Sequence, residues 1–199
     1  MQSIIEVMQS QLWFYLTTVG LVSLCIGSFL NVVIYRLPLM MQREWQSECR
    51  ILLDDELTAN KSKQANINKP FNLVKPNSTC PKCKTAIKPW QNIPIISWLI
   101  LKGKCASCSN PISARYPAVE LITALLSLIV AYSFGATEQA LLYIFVTWIL
   151  VALTFIDIDH MLLPDQLTLP LVWLALIASV MGYTITPTDA IIGAACGYL

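Results

Sequence analysis

Two groups of residues in this sequence have types and spacing suited to chemistry. The first is FIDIDHMLLPDQ, residues 155–166, where Asp157, Asp159 and Asp165 stand with His160, the chain's single histidine, between two strongly apolar runs. Carboxyl groups act as general acid and base when paired, one activating water while the other protonates the oxygen or leaving amine. An ionisable group at membrane depth is costly and usually marks a pathway or a reaction site. Asp157 directly follows LVALTFI and is the candidate for such a role. Asp159 and Asp165 suit solvated turn positions better, with Asp165 placed to N-cap a helix beginning near Leu167. Asp159 is two positions from Asp157 and on a regular helix points elsewhere. With no second histidine to build a ligand set, His160 reads as a solvated turn residue.

The second group is Cys80-Pro-Lys-Cys83, then 21 residues, then Cys105-Ala-Ser-Cys108. Two C-x-x-C pairs at about this separation are a zinc-site signature. Each pair can present two thiolates from one tight turn, and two such turns complete a closed tetrahedral shell. Pro81 and Gly103 suit the turns, and Lys82, Lys84, Lys102 and Lys104 offset the thiolate charge. The alternative is two disulfides or unrelated thiols, and a reducing cytosol disfavours the first. A closed site of this kind staples a small domain. Cys25, Cys49 and Cys196 have no such spacing and read as ordinary small side chains.

The elements that must hold these groups follow from composition. The 199 residues are 56% apolar and 13% charged, about half the charged share of a soluble domain. Net charge is +1, which gives no reason to expect a nucleic-acid partner. All thirteen Lys and Arg residues lie between Arg36 and Arg115. The chain therefore reads as one polar, basic segment set into a membrane-like sequence. Leu12 to Val33 is long enough to cross a bilayer, and no basic residue precedes it as in a cleaved signal peptide. Apolar runs follow over 118–134, 140–156 and 167–183, and a twelve-residue stretch, 188–199, is too short to span. The expectation is that these residues form the front part of a longer protein.

Arg36 and Arg43 after the first run, and Lys102, Lys104 and Arg115 before the second, place 36–117 in the cytoplasm and the N-terminus outside. Alternation then puts 157–166 on the cytoplasmic side. The predicted architecture is an all-α polytopic membrane protein with a small zinc-ribbon-like domain inserted between its first two transmembrane helices. Its parts are an N-terminal helix (1–35), a cytoplasmic metal-binding domain (36–117) and a helical membrane domain (118–199). Residues 42–79 read as a loosely structured insertion with at most one short helix. Pro89–Leu101 reads as a surface-lying interfacial segment or a packed strand. No repeats are evident. Gly27, Ser28 and Asn31 suit helix packing. Glu120 could pair with Arg115 or hold a substrate amine.

Four stretches in order, GSFLNVVIYRLP (27–38), CPKC…KGKCASC, ARYPAVEL (114–121) and FIDIDHMLLPDQLTLPLVW (155–173), resemble the prepilin peptidases, polytopic aspartic proteases of bacterial type IV pilus and type II secretion systems. The resemblance implies a bacterial inner-membrane enzyme with a periplasmic N-terminus and a cytoplasmic active site. It implies removal of a basic leader, after Gly, from prepilins and pseudopilins, with S-adenosylmethionine as donor for methylating the new N-terminus. By position, Asp157 matches the first catalytic aspartate, and Cys80, Cys83, Cys105 and Cys108 match the metal-binding tetrad. The family's second aspartate belongs to a Gly-x-Gly-Asp motif absent from these residues, so the expectation is that they are inactive by themselves. A non-catalytic membrane adaptor docking a partner through its zinc ribbon is the other reading.

Overall fold

A computed structural model describes residues 4–54, 71–87 and 89–198. The helices are α1 (Ile4–Ser10), α2 (Leu12–Asp54), α3 (Ile96–Ile100), α4 (Arg115–Phe134), α5 (Glu138–His160), α6 (Asp165–Val180) and α7 (Pro187–Tyr198), with a 3-10 turn over Pro89–Asn92. Among the described residues β pairing is confined to isolated bridges, Thr79 with Ala86 and Lys104 with Pro111. The helical expectation holds.

Among the described residues three helical stretches are long and apolar enough to cross a membrane: Leu12–Leu52 within α2, α4 and α5. Protein buries only 39%, 33% and 28% of their most apolar windows, which leaves most of each apolar face for another apolar phase. The sequence led to a fourth span over 167–183. That run instead forms α6, whose 16 residues rise roughly 24 Å, short of a hydrocarbon core of about 30 Å. Met181 ends the helix and Gly182, at φ +79°, turns the chain away. Hydropathy counts apolar residues and does not register where the backbone leaves the helix.

The first span departs in the opposite sense. Instead of giving way to a loose insertion after residue 41, α2 continues to Asp54. Gln42–Asp54 is QREWQSECRILLD, rich in Gln, Glu, Arg and Leu, which favour helix. Pro38, its ring fully buried, lies inside α2 without ending it. Within the expected insertion, residues 55–70 lie outside the described residues.

The chain divides into two compact units, residues 1–24 with 122–199 and residues 25–121. In the first, Tyr15 and Val19 of α2, Ala131 of α4 and Ile144 of α5 form a buried cluster. Thr123, Ser127 and Ala140 are also buried, small side chains that let helix backbones approach where lipid removes the hydrophobic drive for association. Ser127 Oγ donates to the Thr123 carbonyl at 2.8 Å and accepts the Trp148 indole N–H at 2.9 Å. Ser127→Ala leaves that N–H without its partner and is expected to destabilise the protein by about 1 kcal/mol, read as a lower thermal midpoint in detergent.

In the second unit Leu30, Val33, Ile34 and Leu37 form the buried stripe of α2, at the spacing of one helix face. Asn31 Nδ2 donates to the Gly27 carbonyl on its own helix (3.3 Å) and to the Tyr116 carbonyl of α4 (3.1 Å). The motif GSFLN thus packs helix on helix, as its residue types led one to expect.

Candidate functional site

The four cysteines converge. Their sulfurs all lie within 4.8 Å of one another, with Cys80 buried and the other three half-buried. Cys80 Sγ and Cys108 Sγ are 3.7 Å apart, too far for a disulfide, and all four are free thiols. A tetrahedral zinc with Zn–S of about 2.3 Å sets its sulfurs roughly 3.8 Å apart, so the donor set fits that ion.

Two copies of one backbone turn build the cluster. In the first, the Lys84 N–H reaches the Cys80 carbonyl (3.0 Å), the Cys80 N–H reaches Thr85 (3.0 Å) and the Ile87 N–H reaches Ser78 (2.8 Å). In the second, Ser109 reaches Cys105 (2.9 Å), Cys105 reaches Asn110 (2.8 Å) and Ile112 reaches Gly103 (2.7 Å). Lys84 and Ser109, each just after its second cysteine, take positive φ of 60° and 55°. CPKCKTAI and CASCSNPI therefore adopt the same turn, although no sequence repeat is evident. Few residues beyond the cysteines match, so the equivalence is one of backbone conformation.

The thiols do not titrate alike. Hydrogen bonding from the Thr85 side chain and then its backbone holds Cys83 down to about 6. The backbone at Cys108 and Ser107 lowers Cys105. Cys108, although the backbone at Asn110 pulls it down, is pushed up to about 11 by burial and the three neighbouring sulfurs. Four thiolates this close repel one another, and a cation among them relieves the repulsion.

Gly103 is required by this geometry. Its φ is +66°, and a Cβ there would come within 2.9 Å of Trp98 Cζ2. Trp98 is held in turn by its indole N–H on the Ile112 carbonyl (3.2 Å). Gly103→Ala is expected to destabilise this unit by roughly 2–4 kcal/mol, combining the left-handed backbone with a rigid ring that must move. Faster amide exchange over residues 103–112 is the readout.

Two buried charged side chains organise the rest of the unit. Arg36, 8% exposed, donates to the carbonyls of Asn72 (2.9 Å), Leu73 (3.2 Å) and Pro76 (2.7 Å). Arg43 stacks on Phe71, 3.8 Å from the ring centroid. Glu120, 7% exposed, accepts the Ile95 N–H on Oε2 at 2.7 Å and a hydrogen bond from the Ser28 side chain. Sequence reasoning counted Arg36 only as a topological charge and did not anticipate that it clamps a loop. Carbonyl acceptors carry no signal in a sequence.

Asp157 lies exposed in the last turn of α5. Met161, at φ +49°, closes that helix with its N–H on the Asp157 carbonyl at 2.8 Å. Asp159 and His160 belong to the same helix and are also exposed. Residues two apart on a helix point roughly 200° apart, so Asp157 and Asp159 diverge. The N-cap of α6 is Pro164, fully buried, and not Asp165, which is the first helical residue. Its carboxylate lies in the first turn, where the helix dipole favours negative charge. Asp189 accepts the Thr186 hydroxyl at 2.7 Å at the start of α7.

A methyl donor of the nucleoside type needs enclosure and an acceptor for ribose hydroxyls. An open groove of about 390 Å³ is lined by Gln42, Trp45, Gln46, Cys49 and Arg50, all on α2. It offers no carboxylate and one wall, and does not fit such a group.

Residues 21–134 match the family described as the bacterial peptidase A24 N-terminal domain, and residues 144–199 match the type IV leader peptidase family. A prepilin leader peptidase/N-methyltransferase of Aeromonas hydrophila is 49% identical over 199 residues, all of this chain and 67% of its own length. Proteins of the same name from Pseudomonas aeruginosa (52% over 186 residues) and Neisseria gonorrhoeae (46% over 185) align with 94% and 93% of this chain and 61% and 63% of their own lengths. The chain thus spans two thirds or somewhat less of the length of these relatives. No solved structure matches it.

Proposed function

The chain belongs to the type IV leader peptidase family, and on that premise we propose that the full-length protein is a multi-pass aspartic endopeptidase of the bacterial inner membrane. Its substrates are prepilins and pseudopilins, cut after the glycine that ends a basic leader. Residues 36–117 form its cytoplasmic metal-binding domain, inserted between the first two membrane helices, with the N-terminus periplasmic.

In this reading Asp157 is one of two catalytic carboxyl groups. It takes one proton of the attacking water while its partner, protonated, donates to the carbonyl oxygen, giving a gem-diol. Asp157 then passes the proton it gained to the leaving amine as the C–N bond breaks, and the partner takes back a proton from the diol. We do not assign that partner to Asp159, which diverges from Asp157 on the same helix, or to Asp189, which accepts the Thr186 hydroxyl at the start of α7. We assign the second carboxyl to the remaining third of the relatives' length, outside these 199 residues, which by themselves would not cleave. Cys80, Cys83, Cys105 and Cys108 hold a structural zinc, which supplies no open position for catalysis and staples the two turns. Methylation of the new N-terminus with S-adenosylmethionine is taken from the relatives' names, and no residue is assigned to the donor.

The observation that carries this reading is an exposed Asp157 at the end of a membrane-length helix, inside a stretch matching the peptidase family. Leader cleavage by the full-length protein carrying Asp157→Asn is the test.

A further inference from the structure

Within residues 89–101 most of the large apolar side chains face away from the protein. Ile96, Leu99 and Ile100 of α3 are 55%, 60% and 73% exposed and, at three- and four-residue spacing, make one stripe, while Ile93, before the turn, is 44% exposed. Trp90, just before them, is 61% exposed. Trp98 faces inward, its indole on Gly103 and its N–H on Ile112. The segment is therefore anchored by Trp98 and bare along its aliphatic stripe, unlike a helix packed on a soluble domain.

One contact ties the segment to α4. Ile95 has φ 57° and ψ −49°, and the Ile96 N–H bonds back to the Pro94 carbonyl, a γ-turn rare and strained for a β-branched residue. The Ile95 N–H is held at 2.7 Å by Glu120, in the second turn of α4. The bare stripe is thereby tied to the beginning of a helix long and apolar enough to cross a bilayer. Lys102 and Lys104, both exposed, follow directly.

We propose that residues 89–101 are a monotopic anchor that lies in the headgroup–acyl boundary of the bilayer, with Ile96, Leu99 and Ile100 inserted and Lys102 and Lys104 at lipid phosphates. The inference rests on the reading of α4 as a membrane span. Trp and Lys beside a short apolar stripe are the composition of interfacial segments. Lipid is the apolar phase already present at the end of α4, so the tether to Glu120 favours it over a second copy or a substrate helix. The strained turn at Ile95 serves to lay α3 along the membrane surface.

The test uses full-length protein in phosphatidylcholine vesicles, with a fluorescent amino acid introduced separately at Leu99, at Ser107 on the cysteine turn and at Leu125 in α4. Proteins that elute as wild type are compared. A nitroxide on a shallow acyl carbon should quench the Leu99 probe at least about threefold more than the Ser107 probe, and aqueous iodide should show the opposite order. Iodide quenching at Leu99 equal to that at Ser107 overturns the proposal. So does protection of Leu99 from both quenchers, which would mean that protein covers the stripe. If deep-chain nitroxides fail at Leu125 as well, the membrane reading of α4 falls and takes the anchor with it. Quenching at Leu125 without quenching at Leu99 sinks the anchor alone.

Discussion

Asp157→Asn is expected to reduce prepilin leader cleavage by on the order of 10³–10⁴-fold while leaving membrane insertion and thermal stability unchanged. Asn has the shape of Asp and lies here on an exposed helix end, so the fold has nothing to lose. What disappears is the ability to accept a proton from water. Asp159→Asn, carried by the same helix on a face roughly 200° away, should stay within about threefold of wild type. Asp165→Asn removes only a first-turn dipole contact and belongs with Asp159. The measurement is the conversion of full-length prepilin to its mature length by the full-length enzyme. Equal rates for wild type and Asp157→Asn would remove this residue from the mechanism. A collapse in Asp159→Asn alone would move the role to its neighbour.

One zinc per chain is the second expected result, and its dependence on acidity follows from the thiols. Binding requires four thiolates. Cys108 holds its proton up to about 11 without metal, so metal uptake at neutral pH displaces it. Cys83 is held down to about 6, so its favourable contribution is present above its ordinary thiol range and is lost as pH falls through 6. Zinc should be retained at neutrality and released on acidification as protons compete for the thiolates, with release lying below the metal-free Cys83 value of about 6 because the bound ion itself favours the thiolate. Cys83→Ser or Cys105→Ser should weaken retention at least about 100-fold, as judged by metal content after competition with a chelator. Because Gly103 and Ile112, which flank the second turn, also hold Trp98, zinc removal should speed amide exchange through α3. A double cysteine variant that keeps one zinc would end the assignment.

Zinc loss and Asp157→Asn separate two roles within one chain. Asp157→Asn should leave metal content untouched. The cysteine variants should perturb the polar unit first, since their sulfurs lie in residues 25–121, while Asp157 belongs to the other unit. Cleavage by each purified variant, set beside its zinc content, reads that separation directly.

The cysteine tetrad was readable because metal ligation imposes a spacing rule on consecutive residues. The apolar spans were readable because a bilayer demands length. Asp157 was singled out by its place against an apolar run and by the motif around it. The fourth apolar run is longer in composition than in helix, because α6 ends at Val180 and Gly182 takes a positive φ while the apolar composition runs on. The end of the first span failed because α2 continues through a polar segment of good helix formers. Asp165 was misread as a cap because Pro164 occupies the boundary position itself.

From the chain alone came the membrane class, the four clustered cysteines and the single acid with a claim to chemistry, since each depends on residue type and on separation along the backbone. Only the tertiary structure decided that the two cysteine turns are copies of one another, that Arg36 clamps three carbonyls and that Glu120 holds the strained turn at Ile95. Those contacts join residues distant in the chain through backbone groups that every residue carries. No residue type announces them, and they exist only once the chain has folded.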